Sequence, residues 1–199
     1  CYVNPADVAL LYEHGDVDKR YGFVMGGGKP EGAFVPKKED VVPPCAVKTL
    51  PVQDGDVFDL GGVQIEAIAV PGHTVGTMVY LDRARRVLYS GDACNANTLL
   101  GLPCSTTVET YAKSLDHLAT YLKGVDKFYG GHGLQAVPAY IVDEAMILCE
   151  EILSDADDRF ETEFLGRKFL YARKFDGMFH REDGGIANIA YVMEKVYNK

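Results

Sequence analysis

The apolar run Val63-Gln64-Ile65-Glu66-Ala67-Ile68-Ala69-Val70 leads directly into Pro71-Gly72-His73-Thr74. Aliphatic and β-branched residues in a run of this length indicate a buried strand, and Pro-Gly marks the turn that ends it. Glycine lets the chain turn sharply and lets other groups come close to its backbone. The sequence therefore predicts a strand with an imidazole side chain directly at its end.

Two later segments repeat this arrangement. Val87-Leu88-Tyr89-Ser90 runs into Gly91-Asp92, and Lys127-Phe128-Tyr129-Gly130-Gly131 runs into His132-Gly133. Each segment is a short strand candidate followed by glycine and by a side chain that binds metals. Two imidazoles and a carboxylate suit a borderline cation such as Zn²⁺. We therefore predict that His73, Asp92 and His132 are metal ligands, with ordinary turn or loop residues as the alternative for each.

These motifs resemble those of the metallo-β-lactamase superfamily, including its glyoxalase II-like and lactonase-like hydrolases. The resemblance implies a mixed α/β (α+β) fold, the four-layer αβ/βα sandwich. It also implies that His73 binds the first metal, that His132 binds the second, and that Asp92 bridges the two. Two zinc ions per complete protein are the expected cofactors, and iron or manganese are the alternatives.

One signature of that family is missing from the sequence. His-x-His-x-Asp-His, which supplies the remaining ligands and the aspartate that positions the water, occurs nowhere in the 199 residues. We therefore expect residues 1–199 to be the C-terminal portion of a single metallo-β-lactamase-like domain, with the first strands and the water-positioning aspartate upstream of residue 1. No catalytic residue is assigned within the chain.

The resemblance also implies an activity. It favours a metal-dependent hydrolase that cleaves a thioester, an ester or a lactone with a metal-bound hydroxide. A di-iron reductase of oxygen or nitric oxide on the same fold is one alternative. An inactive fragment is another, because three ligands shared by two cations leave each cation short of the four that zinc prefers. We expect the 199-residue chain alone to be inactive.

The amino-acid composition limits which classes of partner are expected. The formal net charge of -9 argues against a nucleic-acid partner, because binding to phosphates usually needs a basic surface. No stretch is long and apolar enough to span a membrane. The five cysteines lack Cys-x-x-Cys spacing, which favours reduced thiols and a cytoplasmic location. We expect a small-molecule substrate, no nucleic acid and no membrane, and leave a homo-oligomer open.

Two residues beside Asp92 are candidates for substrate binding. Cys94 and Asn95 follow the proposed bridging carboxylate directly and could line the substrate pocket, with simple loop packing as the alternative. Cys94 is not predicted to be a nucleophile, because no histidine is adjacent to it in the sequence. The other histidines, His14, His117 and His180, follow no ligand pattern and are excluded from the predicted site.

Periodicity and turn residues predict the remaining elements. A helix starts at Asn4-Pro5-Ala6-Asp7, and a long irregular loop covers residues 14–44. Hairpin connections fall at 59–62 and 82–86, strands at 47–52, 169–179 and 186–192, and helices at 108–122 and 138–153. Because several strands are linked by hairpins, the sequence predicts sheets covered by helices and not a doubly wound parallel sheet.

Overall fold

The structure, a computed structural model, describes residues 1–13, 17–26, 32, 34–42, 45–132, 135–164, 167–177 and 179–199. The strands in these ranges are β1 (Tyr2–Val3), β2 (Leu50–Pro51), β3 (Val57–Asp59), β4 (Gln64–Ala69), β5 (Met78–Asp82), β6 (Val87–Gly91), β7 (Thr98–Leu99), β8 (Lys127–Gly130), β9 (Val137–Pro138), β10 (Phe160–Phe164), β11 (Arg167–Tyr171) and β12 (Ile189–Tyr191). The helices are α1 (Val8–Glu13), α2 (Val17–Gly26), α3 (Val108–Ala119) and α4 (Ile141–Leu153), with 3-10 turns at Pro5–Asp7, Lys38–Asp40 and Met193–Lys195.

Within the described ranges, six strands form the largest sheet, in the order β3-β4-β5-β6-β8-β9. All neighbouring pairs are antiparallel except β6 and β8, which run parallel. Both predicted hairpins are present. Asp59 accepts a hydrogen bond from the Gly61 N–H at 2.9 Å in the first, and Asp82 accepts one from the Arg85 N–H at 3.0 Å in the second. The mixed sheet confirms that the fold is not doubly wound.

Helices α3 and α4 supply the other half of the main core. Leu88 and Phe128, which are cross-strand neighbours on β6 and β8, are buried in one apolar cluster with Leu115 of α3 and Leu148 of α4. The apolar residues of each helix recur at three- and four-residue steps, so one face of the helix enters this cluster. No helix in the part of the chain that the structure describes is both long and apolar enough to cross a membrane.

The helices predicted over 108–122 and 138–153 are confirmed, but each is shorter than expected. The prediction of helix over 108–122 is wrong at its end, because Tyr121 and Leu122 bond to carbonyls three residues back and the chain tightens into a 3-10 turn. The prediction over 138–153 is wrong at its start. Pro138 pairs with Lys127 at the edge of the sheet, a position that tolerates the missing N–H of proline.

A second sheet, counted over the described residues, has four strands in the order β10-β11-β12-β7. The predicted strand over 169–179 survives only as part of β11, which ends at Tyr171. The side chain of Asn188 then bonds to both the N–H and the C=O of Arg173, so it replaces a neighbouring strand. The strand predicted over 186–192 is the shorter β12, and β10 was not predicted.

The N-terminal region differs most from expectation. The predicted helix start is confirmed, since Asn4 Oδ1 accepts from the Ala6 N–H at 3.0 Å and α1 follows the 3-10 turn. The prediction of an irregular loop over 14–44 is wrong in part, because α2 lies within it, and several other residues of the segment lie outside the described ranges. The strand predicted over 47–52 shrinks to β2, which pairs with β1 and ends at a proline that cannot donate a hydrogen bond.

Candidate metal site

His73 lies in the turn between β4 and β5, and its backbone is held by a neighbouring segment. The Ser105 hydroxyl donates a hydrogen bond to the His73 carbonyl at 2.8 Å. The Thr106 N–H donates to the Gly72 carbonyl at 2.9 Å. These contacts fix the chain on both sides of the His73 Cα, so the imidazole leaves the backbone from a defined position.

The His73 ring is also oriented. Its Nδ1 lies 3.1 Å from the carbonyl oxygen of Leu99, the last residue of β7. A carbonyl oxygen can only accept, so the hydrogen of this bond is carried by Nδ1. In the neutral ring the lone pair is then on Nε2, which is the form that binds a metal, and a bond of this kind is how proteins orient histidine ligands.

Asp92 follows β6 at a break in the regular strand. The register between β6 and β8 shifts between Tyr89 and Gly91, and Gly91 adopts a positive φ of 52° that favours glycine. The chain therefore turns before Asp92. Its side chain is 34% exposed, and its Oδ1 accepts a hydrogen bond from Asn95 Nδ2 at 3.3 Å.

His132 follows β8 and meets Asp92 because β6 and β8 are parallel neighbours, so their carboxyl ends lie side by side. The Gly131 N–H donates to the Gly91 carbonyl at 2.8 Å, and His132 Nε2 lies 3.2 Å from Asp92 Oδ1. A Cβ added at Gly131 would lie 2.9 Å from that same oxygen. Glycine at this position therefore leaves room for the carboxylate beside the histidine.

The structure thus joins two of the three predicted ligands directly. Asp92 and His132 are in contact, whereas His73 is held separately in the turn after β4. Across the described ranges, no three or more His, Cys, Asp or Glu side chains are gathered closely enough to hold a metal ion. The predicted ligands are of residue types that zinc prefers, an oriented imidazole and an imidazole–carboxylate pair, but the described residues gather fewer than the four ligands of a structural zinc site.

Cys94 and Asn95 have different surroundings. Cys94 is buried in the main core at 1% exposure, and its thiol donates to the Ile141 carbonyl at 3.7 Å. Burial raises the pKa of the Cys94 thiol to about 12, so it stays protonated and is a poor nucleophile. This position favours the packing alternative for Cys94. Asn95 donates a hydrogen bond to Asp92. This contact suits a role in orienting the carboxylate, in addition to the predicted role in substrate binding.

Two residues that shape the site were not singled out from the sequence. Asp7 contacts the His73 turn from 67 positions away, a separation over which no sequence pattern gives a signal. Ser105 holds the His73 carbonyl and stands just before Thr107, the N-cap of α3. The run Ser105-Thr106-Thr107 is a recognisable helix-start signal, so the segment could have been found but its contact could not.

The excluded histidines stay outside the site where the structure describes them. His117 on α3 pairs with Asp54, and its Nε2 lies 3.1 Å from both carboxylate oxygens. His180 pairs with Asp176 at 3.1 Å. Both pairs lie at the surface. His14 lies outside the described residues.

Two of the curated proteins that are similar to this chain are a thioesterase and a hydroxyacylglutathione hydrolase. The acyl-coenzyme A thioesterase MBLAC2 of Bos taurus is 33% identical over 86 residues, which are 42% of this chain and 31% of that protein. The hydroxyacylglutathione hydrolase of Brucella anthropi is 35% identical over 101 residues, which are 49% of this chain and 36% of that protein. The chain spans about a third of the length of the curated relatives it matches.

The fold has counterparts among solved structures. A metallo-beta-lactamase family protein from Thermus thermophilus superposes with a TM-score of 0.52 at 22% identity, over 77% of this chain and 54% of that chain. This likeness bears on the fold alone. The family model described as the metallo-beta-lactamase superfamily matches residues 6–132, a range that includes all three predicted ligands. The chain therefore belongs to the metallo-beta-lactamase superfamily.

Proposed function

We propose that the whole protein is a metal-dependent hydrolase of a small-molecule thioester, with esters and lactones as further substrates of the same chemistry, and that the 199-residue chain alone is inactive. The observation that carries the proposal is the contact between Asp92 and His132 at the carboxyl ends of two parallel strands. Membership of the superfamily and the names of the two curated relatives support it.

The proposed roles are those that membership of the superfamily implies, and the orientation of His73 is consistent with them. His73 would bind one metal through Nε2, because its Nδ1 is engaged with the Leu99 carbonyl. Asp92 would bridge two metals, and His132 would bind the second. Zinc fits this mixture of imidazole and carboxylate, and when bound it polarises a carbonyl group and lowers the pKa of a water molecule. Asn95 would hold the Asp92 carboxylate in position through its amide.

The substrate class is inferred from the relatives. One is named for hydrolysis of acyl-coenzyme A and the other for hydrolysis of hydroxyacylglutathione. In both substrates an acyl group is joined to the sulfur of a larger thiol compound, so the bond to be broken is a thioester. This shared chemistry is the basis for placing thioesters ahead of esters and lactones.

Zinc binding tests the ligand set. Isothermal titration calorimetry with Zn²⁺ would be carried out on the wild-type chain and on the variants Asp92→Asn and His132→Ala. The matched control is His117→Ala, because His117 and Asp54 form an imidazole–carboxylate pair of similar length outside the site. We expect each site variant to weaken binding by at least about tenfold, since even outer partners of a metal ligand cost that much. Equal weakening in the control would contradict the assignment.

Thioester hydrolysis tests the activity. Release of the free thiol from an acyl-coenzyme A and from a hydroxyacylglutathione would be followed with the zinc-loaded whole protein, before and after treatment with a chelator. We expect chelation to abolish the rate and His73→Ala to lower it by at least roughly 100-fold, the upper range for loss of a ligand's supporting partner. A rate that survives chelation would contradict metal dependence.

A second candidate is a chain without a complete metal site. It is favoured by one observation, namely that no three potential ligands are grouped within the described ranges. On this reading zinc binds weakly and thioester hydrolysis is absent from the 199-residue chain. A zinc dissociation constant of about 1 μM or lower, which is a binding free energy of about -8 kcal/mol or more negative, would exclude this second candidate.

A further inference from the structure

We infer that Asp7 is a positioning residue for His73, and that its carboxylate fixes the turn from which the imidazole projects. Its meaning for metal binding rests on the proposed function, whereas the geometric link between the carboxylate and the ring does not. Asp7 belongs to the 3-10 turn before α1 and comes from a different part of the chain than the ligands.

The carboxylate of Asp7 grips the turn at two points just after His73. One oxygen, Oδ2, accepts a hydrogen bond from the Thr74 hydroxyl, and the other, Oδ1, accepts one from the Gly76 N–H at 2.9 Å. Both oxygens are used by the same turn, and the bonds are partly shielded from water. Hydrogen bonds to an ionised acceptor are about twice as strong as neutral ones.

Gly76 is shaped for this contact. It is buried, and a Cβ at this position would lie 2.6 Å from the Asp7 Cγ and 2.9 Å from its Oδ1. Real side chains do not approach so closely, so any other residue at 76 would push the carboxylate away. The close approach of Asp7 to the turn therefore depends on glycine at this position.

Asp7 is itself held in place. Its backbone N–H donates to the Asn4 carbonyl at 2.9 Å, and the Asn4 side chain caps the same 3-10 turn through the Ala6 N–H. The Asn4 amide also lies 3.4 Å from the sulfur of Met78, the first residue of β5. The carboxylate is thus presented by a segment that is tied to the strand leaving the His73 turn.

The effect reaches His73 through Thr74. The Thr74 N–H and hydroxyl both contact the Thr77 hydroxyl, at 2.9 and 2.8 Å, and the Thr74 carbonyl accepts from the Gly72 N–H at 3.0 Å. Thr74, which Asp7 binds, is therefore hydrogen-bonded to Gly72, so the residues on both sides of His73 are held in place. Without Asp7, we expect the turn to loosen and the ring to lose its bond to the Leu99 carbonyl for part of the time.

The ring itself reports this. Nitrogen-15 NMR of the metal-free chain, at a pH of roughly 8 where imidazole is neutral, distinguishes the protonated from the unprotonated ring nitrogen. We expect the wild-type His73 signals, assigned with His73→Gln, to show hydrogen on Nδ1. In Asp7→Ala we expect them to move towards the averaged values of a free imidazole. Gly76→Ala should reproduce this shift, because it displaces the carboxylate without removing it.

Two further variants control for stability. Asp56→Ala removes a carboxylate that accepts from the Gln53 N–H at 2.8 Å in another turn, and it should leave the His73 signals unchanged. Asp7→Asn keeps one acceptor oxygen and should give a shift between wild type and Asp7→Ala, so it serves if Asp7→Ala fails to fold. Unchanged His73 signals in folded Asp7→Asn and Gly76→Ala would overturn the inference and leave Asp7 as a cap of the turn.

Zinc titration of the same variants separates this inference from the proposed function. We expect Asp7→Asn to weaken zinc binding by up to about tenfold, as for other residues that orient a ligand. Shifted His73 signals in a chain whose wild type binds no zinc would support the positioning role and contradict the proposed function. The opposite outcome is a wild-type chain that binds zinc, with neither the zinc affinity nor the His73 ring signals changed in Asp7→Asn and Gly76→Ala. That result would support the proposed function and contradict the positioning role of Asp7.

Discussion

The two histidines of the candidate site are held in opposite ways. His73 is partly buried, its carbonyl and its ring are both hydrogen-bonded, and its neighbours in the turn are fixed by Asp7. His132 is 82% exposed, and its ring contacts the carboxylate of Asp92. The fold therefore fixes the orientation of the His73 ring before any metal binds, whereas it constrains the exposed ring of His132 less.

The difference has a local origin. His73 sits in a short connection between antiparallel neighbours β4 and β5, so both flanking strands restrict it. His132 lies beyond the end of β8 at Gly130, and its ring is exposed. A ligand fixed before binding loses little conformational entropy when it binds, whereas a mobile one lowers the affinity but tolerates different geometries.

The largest expected effect comes from crowding the rigid turn. In Gly72→Ala the new Cβ would lie 2.4 Å from Cδ2 of Tyr111, a fully buried ring. Overpacking of this kind costs about 3 kcal/mol. Urea unfolding would measure the loss, with Gly177→Ala as the control because nothing lies within 4 Å of its added Cβ. Comparable losses in both variants would contradict the account.

The more exposed His132 side offers a direct comparison for that substitution. In Gly131→Ala the added Cβ meets Asp92 Oδ1, the end of a side chain that can rotate away. We expect a stability change within about 0.5 kcal/mol, typical of surface substitutions. A loss as large as that of Gly72→Ala would show that the His132 side is as rigid as the His73 side.

A loss smaller than that of Gly72→Ala is expected when the hydrogen bond between the Asp92 segment and α3 is removed. The Tyr111 hydroxyl donates to the carbonyl of Ala93 at 2.7 Å in a buried setting. Tyr111→Phe leaves that carbonyl unsatisfied and should cost about 1 to 2 kcal/mol in thermal or urea unfolding. Tyr89→Phe, at a ring that is 44% exposed, is the control and should be close to neutral.

Removing each imidazole in turn tests whether His73 is held more firmly than His132. His73→Ala loses the bond to the Leu99 carbonyl and should lower the free energy of unfolding by about 1 kcal/mol. His132→Ala removes an exposed ring and should change it by less than about 0.5 kcal/mol. The measurement is urea unfolding in the absence of metal. A larger loss for His132→Ala would contradict the conclusion that His73 is the more firmly held of the two histidines.

The smallest expected effect is a pH dependence on the rigid side. The Lys195 ammonium donates to the carbonyls of Leu102 and Ser105, both at 2.6 Å, and so supports the segment that holds His73. Burial lowers the pKa of Lys195 in the folded chain. The unfolded chain keeps this proton to higher pH, so the contribution of Lys195 to stability rises as the pH rises through the lowered pKa.

Lys195→Met removes that group and provides the test. The unfolding free energy of the wild type minus that of Lys195→Met should increase from neutral pH towards about 10, the usual range of lysine. A difference that stays constant or shrinks over this range would contradict the lowered pKa. Comparing the two proteins at each pH cancels the tyrosines and the other groups that titrate in the same range.

Several fold elements and the candidate ligands could be predicted because their sequence signals are local. The strand, glycine and ligand motifs at His73, Asp92 and His132 each lie within a few residues, and the hairpin turns and the periodicity of α3 and α4 are read over similar distances. α2 was missed because the glycines around it and its weak periodicity gave no helical signal. Pro138 was placed in a helix because its pairing with Lys127 joins segments that no local pattern connects.

The amino-acid sequence was sufficient to identify the superfamily, the candidate ligands and the main hairpins. Only the folded chain shows that Asp92 touches His132, that Cys94 is buried, and that Asp7 and the Leu99 carbonyl hold the His73 turn and ring. The physical reason is range. Propensity and turn chemistry act between neighbours, whereas these contacts join residues up to 67 positions apart and depend on how strands and helices pack.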